Sequence, residues 1–244
     1  MATEISVFYL SSLVPLAIYL HVIRKYDLSP IAIFHDPVKR LPDVWLVIPL
    51  IFSTIGVIWV GILLLHSINP EMALSYLEWI NSSELFSITE ETTLFQYLLI
   101  FFLVSLLGPF VEEIIFRGVM LERLGAKYGY MKGVVISSLI FGILHVDIAG
   151  AFIFGVVLSV VYLKSFSLLL PFIIHAVNNG TAMIIYFFED YFAGEAWETT
   201  THYIENAWIG IVLFIVSVAW LIWYVREQWP VILNREPFPL NTDV

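Results

Sequence analysis

The sequence predicts an all-α, polytopic transmembrane helical bundle of about seven spans, or eight, and three observations predict it. Of the 244 residues, 60% are hydrophobic and only 13% are charged, whereas soluble domains carry roughly half and a quarter. The mean hydropathy is +0.90. Several stretches are long and apolar enough to cross a bilayer, which takes about 18 to 20 residues with almost no charge.

Seven apolar segments follow one another: Ile5 to Ile23, Val44 to Ile68, Leu94 to Met120, Gly133 to Val146, Ile148 to Leu163, Leu168 to Phe188 and Ala207 to Val225. The first lacks a basic region before it and a small-residue cleavage pattern after it, so it reads as a retained span and not as a signal peptide. The fourth and fifth are separated on length. Residues 133–163 hold one charge, Asp147, and as a single helix would run ~46 Å at ~1.5 Å per residue, beyond the ~30 Å hydrocarbon core. A break between His145 and Gly150 is therefore expected, in surroundings where neighbouring protein satisfies the backbone. The tail from Trp229, with Pro230, Pro237 and Pro239, is expected to be extended. The chain divides into two N-terminal spans with their loops (1–93), a core of four spans (94–188), and an outer loop, last span and tail (189–244).

Charge sets the orientation. Arg24, Lys25, Lys39 and Arg40 fall in the first loop, Arg123, Lys127 and Lys132 in the third, Lys164 in the fifth, and Arg226 and Arg235 in the tail. The alternate loops carry acids instead: Glu71, Glu78, Glu84, Glu90 and Glu91, then Asp147, then Glu189, Asp190, Glu195, Glu198 and Glu205. Basic residues collect on the cytoplasmic side, so an outer N-terminus and a cytoplasmic C-terminus are expected. The net charge of −10 is explained by these outer acids and implies no nucleic-acid partner. Aromatic residues among them (Tyr76, Trp79, Trp197 and Tyr203) mark amphipathic segments or an ordinary interfacial belt. There is no cysteine, which removes disulfides, thiol nucleophiles and thiolate metal ligands.

Ionisable groups at membrane depth cost ~2.5 to 3.5 kcal/mol each on insertion scales and are functional candidates by default. The third segment holds Glu112, Glu113 and Arg117. Glu113 and Arg117 are four residues apart, on one helix face with the acid first; Glu112 points about 100° away, so the two acids have different roles. Pro109 removes a backbone hydrogen bond and can open space beside Glu112. The fourth segment carries Phe141 and His145 at the same spacing, and the sixth carries His175 and Asn179, with Asn178 alongside. Alone, each pair could be packing, interhelical glue or an interfacial cluster. Measured from the cytoplasmic ends, however, Glu112, His145, His175 and Asn179 all lie ~10 to 18 Å deep. One layer in the inner half of the membrane, and a conical inner-leaflet cavity open to the cytoplasm, follow. Ala151, Gly155 and Ser159, spaced by four, would let helices pack closely around it.

The strings Glu112-Glu113-Ile-Ile-Phe-Arg117, Phe141-Gly-Ile-Leu-His145 and His175-Ala-Val-Asn178-Asn179 resemble the three motifs of the CAAX protease and bacteriocin-processing family of intramembrane endopeptidases. The resemblance covers about Leu94 to Phe188. It implies that Glu112 is a general base, that His145, His175 and Asn179 complete the site, and that Glu113 and Arg117 support it. It also implies a lipidated or membrane-bound peptide substrate within membrane lipid. Glu112, His145 and His175 could alternatively hold zinc, since two imidazoles and a carboxylate are a hydrolytic zinc set; the absence of a paired-His motif favours a metal-free site. A proton-coupled carrier and a non-proteolytic scaffold or immunity-type protein are the rival readings. The lack of an inverted repeat counts against the carrier.

Overall fold

Uninterrupted apolar sequence leaves the backbone no water to bond with, so it closes its hydrogen bonds within helices. The computed structural model describes residues 43–82, 93–165, 167–192 and 199–233, and every regular element among them is helical. In chain order these are α1 (Val47–Ile68), α2 (Pro70–Ser82), α3 (Leu94–Tyr128), α4 (Tyr130–Ile143), α5 (Ile148–Ser165), α6 (Leu169–Phe192), α7 (Thr200–Glu205) and α8 (Ala207–Leu233). Four helical stretches are long and apolar enough to span a membrane: Asp43–Ile68, Leu94–Tyr128, Ile148–Ser165 and Ala207–Pro230. Tyr130–Ile143 and Leu169–Ile185 are shorter apolar helices. The protein is thus an integral membrane helical bundle. The expected first span, the basic residues of the first loop, Glu84, Glu90, Glu91, Trp197 and Pro237 lie outside the described residues.

At the centre stands α5, where Val157, Leu158, Val160 and Val161 are all fully buried, the pattern of a helix surrounded by others. Its hairpin with α4 is tight because Gly155 leaves only 3.0 Å between a would-be Cβ and the Ser138 Cβ. The break between them falls where helix length demanded it: α4 ends at Ile143, α5 begins at Ile148, and the Asp147 Oδ1 accepts the Gly150 N–H at 2.9 Å. Burial raises the Asp147 carboxyl above the usual range, opposed by that hydrogen bond and by the nearby His145. On the periphery α8 runs antiparallel to α1, with Gly56 against Phe214 and Gly210 against Trp59. Its other face exposes Trp208, Ile215, Val216 and Trp223, as lipid contact requires.

Two expectations are corrected. The third loop shrinks to Gly129, with φ of 83°, because α3 continues past Met120 to Tyr128. There Glu122 is buried and accepts the Tyr130 hydroxyl at 2.7 Å, so Arg123 and Lys127 ride on a helix. The tail remains helical to Leu233, through Pro230, since Ile232 is buried in the core and Trp229 packs against it. The expected amphipathic segment is α2, with Ala73 and Leu77 on its buried face and Met72, Leu74 and Trp79 exposed. It folds back along α1, burying Ala73 and Leu77 with Ile62 and packing Tyr76 and Tyr203 against them.

Candidate active site

The site is assembled on α3, whose 35 residues are not one regular α-helix. Residues Leu103–Leu107 and Ile114–Leu121 are π-helical, a widened geometry that is common at functional sites. Between them the short α segment Gly108–Glu113 carries both acids, which point to different partners.

Glu113 faces inward. Its Oε1 accepts from the Arg117 Nη1 at 2.8 Å and lies 2.7 Å from the His175 Nδ1, with Glu113 and Arg117 each 1% exposed. Arg117 also donates through Nη2 to the Gly155 carbonyl at 3.4 Å and stands 4.8 Å over the Phe141 ring. A buried charge is tolerated only when so paired and bonded. The result is a rigid base tying α3 to α4, α5 and α6.

Glu112 faces the other way. Its Oε2 lies 3.8 Å from the Nε2 of His145 and 3.8 Å from the Nε2 of His175. The Nδ1 of His145 is 2.7 Å from the Phe141 carbonyl; a carbonyl only accepts, so the proton sits on Nδ1 and a neutral ring offers a bare Nε2. The ring of His175 is wedged between Phe154, edge-on with centroids 4.8 Å apart, and Phe141 at 6.0 Å. Glu112 and His145 are 33% and 36% exposed in their side chains, His175 only 3%. The arrangement therefore has a partly open side at Glu112 and His145 and a closed side at His175, with the Glu112 Oε2 itself buried and not hydrogen-bonded among the described residues.

Asn179, one turn beyond His175, donates through Nδ2 to the Val104 carbonyl at 3.2 Å, and its Oδ1 receives the Asn178 Nδ2 at 3.4 Å. The sequence singled out Glu112, Glu113, Arg117, Phe141, His145, His175, Asn178 and Asn179; the fold brings the first six into mutual contact, while Asn178 and Asn179 meet each other and the Val104 carbonyl of the same helix α3. It missed Phe154, which reads as one more apolar residue, and the carbonyls of Val104 and Gly155, which as backbone atoms leave no compositional trace. Glu112, His145 and His175 present zinc-type donors, but among the described residues no group of three or more His, Cys, Asp or Glu is placed to hold a metal ion.

The fold and site define a class, a membrane helical bundle that buries a carboxylate and arginine beneath a second carboxylate and two imidazoles, the types of side chain from which proton-transfer sites are built. Comparison with known proteins narrows this. Residues 94–181 match the family described as type II CAAX prenyl endopeptidase, Rce1-like, so the resemblance carried by the three motifs holds across that core. The chain is 36% identical over 95 residues to the "Membrane-embedded CAAX protease MroQ" of Staphylococcus aureus, covering 34% of this chain and 37% of that protein. It is 31% identical over 84 residues to the "Putative membrane peptidase YdiL" of Bacillus subtilis, covering 33% and 34%. An "Uncharacterized 24.3 kDa protein" of Escherichia coli is 27% identical over 136 residues, covering 52% of this chain and 59% of its own length. The chain thus spans about a third of the first two relatives and under two thirds of the third. No solved structure matches it.

Proposed function

We propose that the protein is an intramembrane endopeptidase that hydrolyses a peptide bond near the C-terminus of a membrane-associated substrate, with a prenylated CAAX peptide as the leading candidate. The observation that carries this reading is the convergence of two imidazole Nε2 atoms on the Glu112 Oε2, each at 3.8 Å. A contact of that length suits a bridging water, hydrogen-bonded at ~2.8 Å to each partner. Glu112 takes a proton from this water, the bare Nε2 of His145 orients it, and the hydroxide so formed attacks the substrate carbonyl. The tetrahedral oxyanion then needs donors. Asn179 has a second amide N–H beyond the one given to Val104, and His175 donates from Nε2 when its ring carries both protons, with Glu113 accepting at Nδ1. Glu112 returns its proton to the leaving amine, which balances the hydrolysis.

We favour the metal-free form because the three zinc-type donors, Glu112, His145 and His175, come from three separate helices with no paired-His motif, and the chelator arm of the test decides it. With the basic loops inside, the open side of the site faces the cytoplasm. The test is cleavage of a quenched fluorescent farnesylated CAAX peptide by detergent-purified protein, beside Glu112→Ala and with a zinc chelator. Cleavage lost in the variant and kept with chelator supports the proposal. Loss on chelation that added zinc reverses overturns the metal-free mechanism, and an uncut peptide panel overturns the protease reading in favour of a scaffold or carrier.

A further inference from the structure

The geometry points to Pro109 as a positioning residue: by lacking an N–H, it leaves the Val104 carbonyl free to anchor Asn179 on the helix that carries Glu112. This rests on the endopeptidase reading above for its catalytic consequence, and on backbone geometry alone for the anchor.

In an α-helix the Val104 carbonyl would accept from the N–H of residue 108. Here Gly108 instead donates to Leu103, five residues back. In that π register the Val104 carbonyl falls to residue 109, and residue 109 is proline, which has no N–H to give. A backbone carbonyl at membrane depth must find another partner. It finds the Asn179 Nδ2 at 3.2 Å, from a residue 75 positions later on α6. The next residue of α6, Gly180, faces the same turn of α3, where a Cβ would make ordinary contact at 3.5 Å from the Phe101 ring and 3.8 Å from Ser105. One amide hydrogen of Asn179 is thereby fixed on α3, which aims the other. The same α3 segment carries Glu112 three residues after Pro109, so the proline sets base and amide in one frame.

The contrast with a plain kink is chemical. A proline that only bent α3 would act through helix direction, whatever Asn179 did. The anchor instead predicts that the two residues act as one unit. Pro109→Ala restores an N–H that competes for the Val104 carbonyl, either in the π register or by letting Gly108 return to it. Asn179 is then released.

The test is a cycle of Pro109→Ala, Asn179→Ala and the double variant, with Pro109→lactic acid as a fourth form. Lactic acid has the side chain of alanine but an ester in place of the N–H. Using the farnesylated CAAX peptide, Pro109→Ala is expected to lower kcat about 10- to 100-fold with KM within about twofold. The lactic acid form should recover most of that loss, and Asn179→Ala should cost much less in the Pro109→Ala background than alone. Thermal unfolding in detergent reads the anchor without turnover: Asn179→Ala should lower Tm in the parent and by less than half as much beside Pro109→Ala. Equal Tm losses in both backgrounds overturn the anchor. Coupled Tm values with unchanged kcat, or no rescue by lactic acid, overturn the positioning role. If no peptide is cut by the parent, the endopeptidase reading fails and the catalytic role with it, while the unfolding cycle still decides the anchor.

Discussion

The Nδ1 of His175 lies 2.7 Å from the Oε1 of Glu113, although 62 residues of chain separate them, and this contact orders the site. It uses one ring nitrogen on the buried acid and turns the other toward the exposed acid, Glu112. Two adjacent carboxylates on one helix thus flank opposite ends of a single imidazole, one in close contact at 2.7 Å and the other set back at 3.8 Å.

Glu112→Ala is expected to reduce kcat/KM for the fluorescent peptide by about 10² to 10⁴, the usual loss on removing a general base. Its circular dichroism and Tm should stay close to the parent, because the Glu112 side chain is one-third exposed and its Oε2 makes no hydrogen bond among the described residues. A parallel loss of fold would show that Glu112 is structural.

Arg117→Met should destabilise the protein by about 3 to 5 kcal/mol, since it strands the Glu113 charge in a buried site. Arg117→Lys should recover little of this, because an ammonium lacks the planar fork that reaches both Glu113 and the Gly155 carbonyl. Detergent-phase thermal unfolding measures both. A parental Tm in either variant would mean that the pair is dispensable.

Gly155→Ala should cost about 1 to 3 kcal/mol through overpacking, as the new Cβ would meet the Cβ and Cα of Ser138 at 3.0 and 3.1 Å. Gly61→Ala is the matched control: there the Cβ would sit at an ordinary 3.6 Å from the Tyr76 ring, and helix propensity favours alanine by up to about 1 kcal/mol. Opposite Tm shifts are expected. Equal shifts would contradict the close α4 and α5 approach.

Asp147 supplies a pH dependence whose sign follows from burial. Its carboxyl is raised above the ordinary range, so the folded state holds that proton more tightly than the unfolded chain. The stability this contributes is present below the unfolded value and is lost as pH rises through the folded one. Asp147→Asn keeps an oxygen to cap Gly150 without the titration. The Tm of Asp147→Asn should therefore gain on the parent as pH goes from about 4 to about 8, and a gap that is constant with pH would show that Asp147 does not titrate in this way.

Much of this protein was legible in the chain itself. Composition settled the membrane class, and bilayer thickness forced the break after α4, because both depend only on counting apolar residues against a fixed length. The rarity of charge at depth exposed Glu112, Glu113, Arg117, His145 and His175, and the spacing of four put Glu113 with Arg117. Tertiary structure alone decided which acid met which imidazole, that α2 turns back along α1, and that α8 runs through Pro230. Those outcomes depend on how helices meet in three dimensions, and a local pattern of apolar and polar residues carries no term for a neighbour 62 or 75 positions away. The Val104 carbonyl is the clearest case: every residue has one, and only the π turn, the missing N–H of Pro109 and the arrival of α6 together make it the anchor of Asn179.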